Sequence, residues 1–292
     1  MIKALTISAL PYSPDPLGLF ARLRVRPGAI LLDSGRPVAT GRFDIISSDP
    51  LATLEVAHNG GASIASDRLS PPAHLANDAF ALQQWLLDQL DIPDETSELP
   101  FLGGLIGYWG YDLGRKTLSI PSRQASPVTL PQARLGLYDW CITLDHMAQQ
   151  AWLIATPQRR EQVEGWLTQS PAPTHAFTLT DTFKAELSHA QYEARFDAVQ
   201  RYIRAGDCYQ INLAQRFYAD YRGMSGRHTC NCVKPPLRPI QALWPGATKR
   251  SCHFHQNGLF SVATARSRHG RLKAPARVVQ HLKRIRRWRS SF

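Results

Sequence analysis

The last 69 residues of this 292-residue chain, Met224 to Phe292, contain 15 Lys and Arg and not one Asp or Glu. The preceding 223 residues hold the other 19 bases against all 23 acids, a net of −4 within a chain whose total is +11. A basic, acid-free tail therefore follows a mildly acidic body, and the two need separate accounts. Three of the five Cys and five of the ten His also fall in the tail. Cys141 and Cys208 of the body give no disulfide framework, which points to a reducing, cytoplasmic setting.

Apolar content of 43% with 9% aromatics is that of a soluble globular protein. No run of about 18 apolar residues exists to span a membrane. The opening "MIKALTISALPYSPDP" lacks a small-x-small cleavage site, so a first β-strand is expected there rather than a signal peptide.

The body reads as mixed strands and helices. "AILLDSG" is a short apolar run closed by a turn, and "RFDIISSDPLATLEV" gives two strands around Asp49-Pro50. "NDAFALQQWLLDQL" predicts a helix capped by Asn77 or Asp78, with Phe80, Leu82, Trp85, Leu86 and Leu90 as its apolar stripe. "RLGLYDWCITLDHMAQQAWLIAT" predicts a hairpin turning near His146 to Gln149, "REQVEGWLTQ" a short helix, and "SPAPTHAF" a linker.

The clearest helix begins at Ser188, because Gln191 three residues on completes a capping box. Tyr192, Phe196, Val199 and Ile203 follow at helical spacing, and Gly206 suits a left-handed C-cap. "DCYQINLAQRF" then alternates, with Tyr209, Ile211 and Leu213 opposite Cys208, Gln210 and Asn212, as a strand lining a polar pocket or facing water would. The glycines of "GGLIGYWGYDLG" lack the Gly-Lys-Ser/Thr ending of a phosphate loop. Close backbone approach in a sheet is their expected role.

"LLDSG", "GRFDIISSDP", "FLGGLIGYWGYDLGR", "LYDW" and "AGDCYQINLAQRF" occur in an order that resembles the amino-terminal half of the aminodeoxychorismate synthase and anthranilate synthase component I family. The resemblance covers residues 1 to about 223. It implies an α+β fold: the amino-terminal part of a two-sheet β-sandwich with outer helices, incomplete, followed by a disordered tail. The implied parts are an amino-terminal region over 1–175, the start of the chorismate-binding region over 176–223, and an out-of-frame tail over 224–292. The family's catalytic motifs, of the form SPERF and PIKGT, do not appear in the sequence as written.

The genetic code shows where they went. Joining the third base of each codon to the first two of the next, "CHFHQNG" (Cys252 to Gly258) permits Ser-Phe-Ser-Pro-Glu-Arg. "HGRLKAPAR" (His269 to Arg277) permits Arg-Pro-Ile-Lys-Gly-Thr-Arg-Pro, and "MSGRHT" after Gly223 permits Asp-Glu-Trp-Gln-Ala-Tyr. One base lost beside the Gly223 codon accounts for all three. Cys252, His253 and His255 are then the shadow of SPERF, and with Cys230 and Cys232 they lack finger-like zinc spacing, so no metal is expected on them.

The resemblance implies a chorismate-aminating enzyme subunit, fed with ammonia by a glutamine amidotransferase subunit, with magnesium (Mg2+) on the substrate carboxylate. The PIKGT lysine would be the nucleophile and the SPERF glutamate its acid/base partner. Both are lost here with the magnesium carboxylates, so no catalytic residue is assigned and no cofactor is expected to bind. The resemblance also implies a tryptophan pocket built partly by Ser34, Thr40, Gly41, Arg42 and Phe43. Ser34 offers a hydroxyl at a turn and Phe43 an apolar wall, while Arg42 is open to a purely structural role. The family's APFSAF segment is replaced, so weak or absent tryptophan affinity is expected. Loss of the second half predicts uncovered apolar faces and an aggregation-prone chain. The tail would hold nucleic acid only through non-specific, salt-sensitive attraction.

Overall fold

The computed structural model describes residues 5–34, 41–92, 98–118, 120–121, 130–171, 178–222, 241–244, 251–253 and 260–263. The chain begins with β1 (Thr6–Leu10), α1 (Pro16–Leu23), β2 (Ile30–Asp33), β3 (Phe43–Ser47), β4 (Ala52–Val56) and β5 (Ala62–Ala65). It continues through α2 (Ala79–Leu87), β6 (Gly104–Trp109), α3 (Leu113–Thr117), β7 (Ala133–Tyr138), β8 (Trp140–Asp145), β9 (Gln150–Ala155) and α4 (Pro157–Thr168). Two short ladders, β10 (Thr178–Leu179) with β13 (Tyr221–Arg222) and β11 (Lys184–Ala185) with β12 (Phe217–Tyr218), flank α5 (His189–Ala205). Three tail segments are strands: β14 (Gln241–Trp244), β15 (Ser251–His253) and β16 (Phe260–Ala263).

Two antiparallel sheets dominate. The larger has the order β1-β9-β8-β3-β2-β14-β15 and the smaller β16-β6-β7-β4-β5. Side-chain alternation along each strand sorts the apolar residues into layers. Ile30, Leu32, Ile45, Cys141 and Ile154 of the larger sheet meet Ile106 and Tyr138 of the smaller, with Phe101 and Leu102 just before β6, in a central core. The opposite face of the larger sheet, including Leu31, Ile46, Trp140, Ile142 and Leu153, packs on Phe20 and Leu23 of α1 and Val163 of α4. Leu54, Leu105, Leu135 and Leu137 turn outward from the smaller sheet onto Leu82, Leu86 and Leu87 of α2. The expected α+β sandwich with outer helices is thus present.

Before the tail, whose β15 and β16 also lie in different sheets, the chain passes between sheets from β3 to β4 through Ser48–Leu51 and from β7 to β8 at Asp139. The hairpin expected from Arg134 is therefore two strands on its first arm, one in each sheet. Both crossings converge on Arg159, which is 3% exposed. Its Nη1 and Nη2 donate to Asp49 Oδ2 and to the Asp49 carbonyl at 2.6 Å each, and Nε donates to Asp139 Oδ1 at 3.1 Å. Burial pushes the Asp139 carboxyl above the ordinary carboxylate range, with Arg159 opposing the shift. The capping of α4 places this arginine: Pro157 starts the helix, and the Thr156 hydroxyl accepts from the Arg159 backbone N–H. At the same crossing the Tyr138 hydroxyl donates to Gly28 O at 2.6 Å, and the Trp140 indole donates to Ser48 O at 2.8 Å. Gly28 has φ +58, and a Cβ there would run into Pro50.

Local details correct several expectations. Asp78 is the cap of α2, its carboxylate accepting from the Phe80 and Ala81 N–H groups, while Asn77 sits at φ +70. Phe80 is 51% exposed, because it lies about 90° round the helix from the mean direction of Leu82, Gln83, Leu86 and Leu87. α5 has the capping box at Ser188 and the left-handed Gly206, yet none of its residues is buried. "DCYQINLAQRF" has no regular secondary structure before Phe217, where it joins a ladder, and among the described residues no strand lies beside the rest of it. In β6, a side chain on Gly107 would strike the Arg134 backbone, consistent with close approach in the sheet. The expected boundary at residue 175 and most of the tail lie outside the described residues. The described tail strands pair with the free edges of the sandwich, β14 on β2 and β16 on β6.

Replacing Arg159 by Ala strands the Asp139 carboxylate in a buried site. A loss of about 3–5 kcal/mol is expected, read as a lower urea midpoint with an unchanged m-value.

Candidate functional site

Four strands bring polar residues to one end of the larger sheet. Tyr12 follows β1, Ser34 follows β2, Arg42 to Asp44 open β3, and Asp145 and His146 close β8. The register brings them level, with Phe43 opposite Asp145 and Leu10 opposite Ala151. The Ser34 backbone N–H and hydroxyl each donate to Asp44 Oδ1 at 2.7 Å. His146 Nε2, whose acceptor is a carboxylate, donates to Asp44 Oδ2 at 2.7 Å, and its Nδ1 is hydrogen-bonded to the Tyr12 hydroxyl at 2.9 Å. The Tyr12 and His146 rings also meet edge to face at 5.8 Å. Asp44 is wholly buried, so this chain of bonds fixes the backbone at the end of β2.

A second pair lies beside it. Arg42 Nε and Nη2 donate to Asp145 Oδ2 at 2.9 and 2.7 Å, and the guanidinium covers the Phe43 ring at 4.5 Å. Asp145 Oδ1 accepts from the Met147 and Ala148 N–H groups at 2.9 and 3.0 Å, closing the turn between β8 and β9. Burial by itself would raise the Asp145 carboxyl, but the bonds from Arg42, Ala148 and Met147 together hold it below the ordinary value of 3.8. The bond to Asp145 in turn raises the Arg42 guanidinium.

Of the residues implied for a tryptophan pocket, Ser34, Gly41, Arg42 and Phe43 stand together at this sheet end, and Thr40 lies outside the described residues. Arg42 is engaged by Asp145 and Phe43. Asp44, His146 and Tyr12 were not anticipated. An acidic residue between apolar neighbours in "FDII", one that must be buried if the strand is, was the available signal for Asp44. The set is not a nucleophile–base pair, because both ring nitrogens of His146 are taken by Asp44 and Tyr12. The Ser34 proton is committed to Asp44, which leaves its oxygen to accept. Cys141 is equally unsuited to nucleophilic work, its buried thiol pushed up to about 12.

Among the described residues no group of three or more His, Cys, Asp or Glu stands close enough to hold a metal ion. Cys252, His253 and His255 contribute no described side chains. Among the described residues no helix is long and apolar enough to cross a membrane.

A solved structure, anthranilate synthase component I from Streptococcus pneumoniae TIGR4, superposes with a TM-score of 0.51 at 23% identity, over 66% of this chain and 45% of that one. Over the matched part the fold is thus that of anthranilate synthase component I. The profile described as chorismate binding enzyme matches residues 30–230, and the chain belongs to that family. It is 38% identical to aminodeoxychorismate synthase component 1 of Klebsiella aerogenes, over 74% of this chain and 48% of that protein. Its identity to the Escherichia coli K12 protein of the same name is 37%, over 70% and 45%. Anthranilate synthase component 1 of Pseudomonas putida is 27% identical, over 71% and 46%. The chain spans about half the length of the curated relatives it matches.

Two outcomes test this site. Asp44→Ala leaves buried donors on Ser34 and His146 unsatisfied and is expected to cost about 1–3 kcal/mol in a urea titration, with Tyr12→Phe costing less. The depressed Asp145 makes its contribution in full above the ordinary value of 3.8 and loses it as the pH falls through the lower folded value. Amide protection in the β8–β9 turn, taken relative to the intrinsic exchange rate at each pH, should therefore fall as the pH drops below 3.8, and Asp145→Asn should remove that acid limb.

Proposed function

We propose that the body is the amino-terminal half of a cytoplasmic chorismate-aminating subunit of aminodeoxychorismate synthase. The parent reaction takes chorismate and glutamine-derived ammonia to 4-amino-4-deoxychorismate for para-aminobenzoate and folate synthesis, with an amidotransferase subunit as partner. A base lost beside the Gly223 codon then puts the catalytic half out of frame and leaves the 292-residue chain inactive. The observation that carries this reading is the pair of family signatures, SPERF and PIKGT, permitted by the same alternative phase from Cys252 and from His269. The identity to relatives named aminodeoxychorismate synthase component 1 supports the choice within the family.

The Ser34–Asp44 arrangement supports a ligand pocket of the tryptophan-binding type at the same sheet end. Ser34 oxygen, with its own proton given to Asp44, would accept from an ammonium group. Arg42 acts there as scaffold, through Asp145.

A second reading is favoured by the acid-free tail: a non-catalytic protein whose 15 tail cations contact nucleic acid or an acidic partner. Removal of the chain after Gly223 would then abolish salt-sensitive retention on nucleic acid.

Resequencing around codon 223, followed by restoration of one base there, separates the two. The repaired chain is expected to aminate chorismate with ammonia, and the 292-residue chain to show no such activity. Stop codons in the alternative phase, or a repaired chain without activity, would sink the frame reading.

A further inference from the structure

We propose that the tail-facing edges of β2 and β6 are peptide-docking sites of the strand-addition type, and that tail segments of this same chain occupy them and keep its copies from joining edge to edge. The proposal goes beyond the catalytic reading and holds however the tail arose.

β2 and β6 are built as inner strands. Leu31 packs into the helix-covered layer of the larger sheet while Ile30 and Leu32 enter the central core, and none of the three is more than 6% exposed. In β6, Leu105 packs with α2 and Ile106 enters the central core. Backbone groups on an edge between two apolar layers have little access to water and need a partner in the sheet. Neither 30–32 nor Gly104–Trp109 carries a charge or a proline to discourage pairing. The outermost strand β5 differs, with four residues that alternate between half-buried and exposed.

The tail supplies the partners. β14 lies antiparallel on β2, with Ala242 opposite Leu32 and Leu243 opposite Leu31, and β15 continues the sheet beyond it. β16 lies antiparallel on β6, from Phe260 opposite Tyr108 to Ala263 opposite Leu105. All three strands lie beyond the family match, which ends at residue 230. None of the 15 tail cations falls within them, so the runs that pair are those without Lys or Arg. Strand addition draws its affinity from main-chain bonds, and a second copy could offer them as well as the tail. A segment on the same chain acts at an effective concentration on the order of millimolar, far above a second copy at about micromolar concentration, so the tail takes the edge.

The experiment follows amide exchange in the full 292-residue chain. Expected is slow exchange at the β2 amides facing β14 and the β6 amides facing β16, unchanged on dilution. Ala242→Pro paired with Leu243→Pro removes one donor toward each side of β14, because successive residues face opposite sides. The pair should speed exchange in β2 about tenfold or more and leave β6 alone. Ser261→Pro with Val262→Pro should do the reverse, and a chain with all four should elute as larger species. Slow exchange between β8 and β9, which pair with each other, shows that the sandwich persists. Fast exchange at either edge of the unsubstituted chain would overturn the proposal. So would exchange that quickens on dilution, as a second copy in the edge requires, proline pairs without effect, or a four-proline chain that stays monomeric. Failure of the frame reading shows itself elsewhere, in the DNA and in the activity of the repaired chain.

Discussion

Arg159 holds the two sheets together where the chain passes between them. One guanidinium binds the Asp49 carbonyl and carboxylate on the β3–β4 crossing and the Asp139 carboxylate on the β7–β8 crossing. The central core requires both crossings, because Tyr138 and Cys141, either side of Asp139, enter it from different sheets. Arg159 has its position because Pro157 and Thr156 start α4 immediately before it. A capping choice in the sequence thereby aligns a helix, two crossings and a sandwich. Without the arginine, two carboxylates and a carbonyl would face each other with no cation between them.

From this frame the polar sheet end follows. The larger sheet places the end of β2, the start of β3 and the end of β8 side by side, and the Tyr12–His146–Asp44–Ser34 bonds fasten them. Arg42 and Asp145 hold the adjoining turn. Both sets are buried or half-buried, and the work they perform is fixing backbone. The Ser34 hydroxyl, its proton given to Asp44, keeps only acceptor capacity.

Most of the sandwich is visible in the sequence, because its strands alternate and its turns carry Asp-Pro and Gly. The capping box and Gly206 gave α5 both ends correctly, since those bonds are local. α1 has its own local signal, since Asp15 caps it by accepting from Leu17 N and Pro16 is its first helical residue, but it is too short to show helical periodicity. The run from Arg134 to Asp145 hides its break because Asp139 changes sheets without a Gly or Pro to announce it. The strand expected at Tyr209 fails for a different reason: alternation describes a face, but a ladder needs a neighbour, and none is described there. At the site, Ser34 and Phe43 were legible only through family resemblance. Asp44 and His146 lie 102 residues apart, a pairing that no local pattern can reveal.

Cys141 gives the sandwich an internal reporter. Its thiol lies between the sheets, wholly shielded and far from ionising at neutral pH. Cys208, half-exposed beyond α5, is accessible without any opening. At the two cysteines that precede the tail, an alkylating reagent therefore reads two clocks: a prompt one at Cys208, and a slow one at Cys141 that advances only when the two layers part.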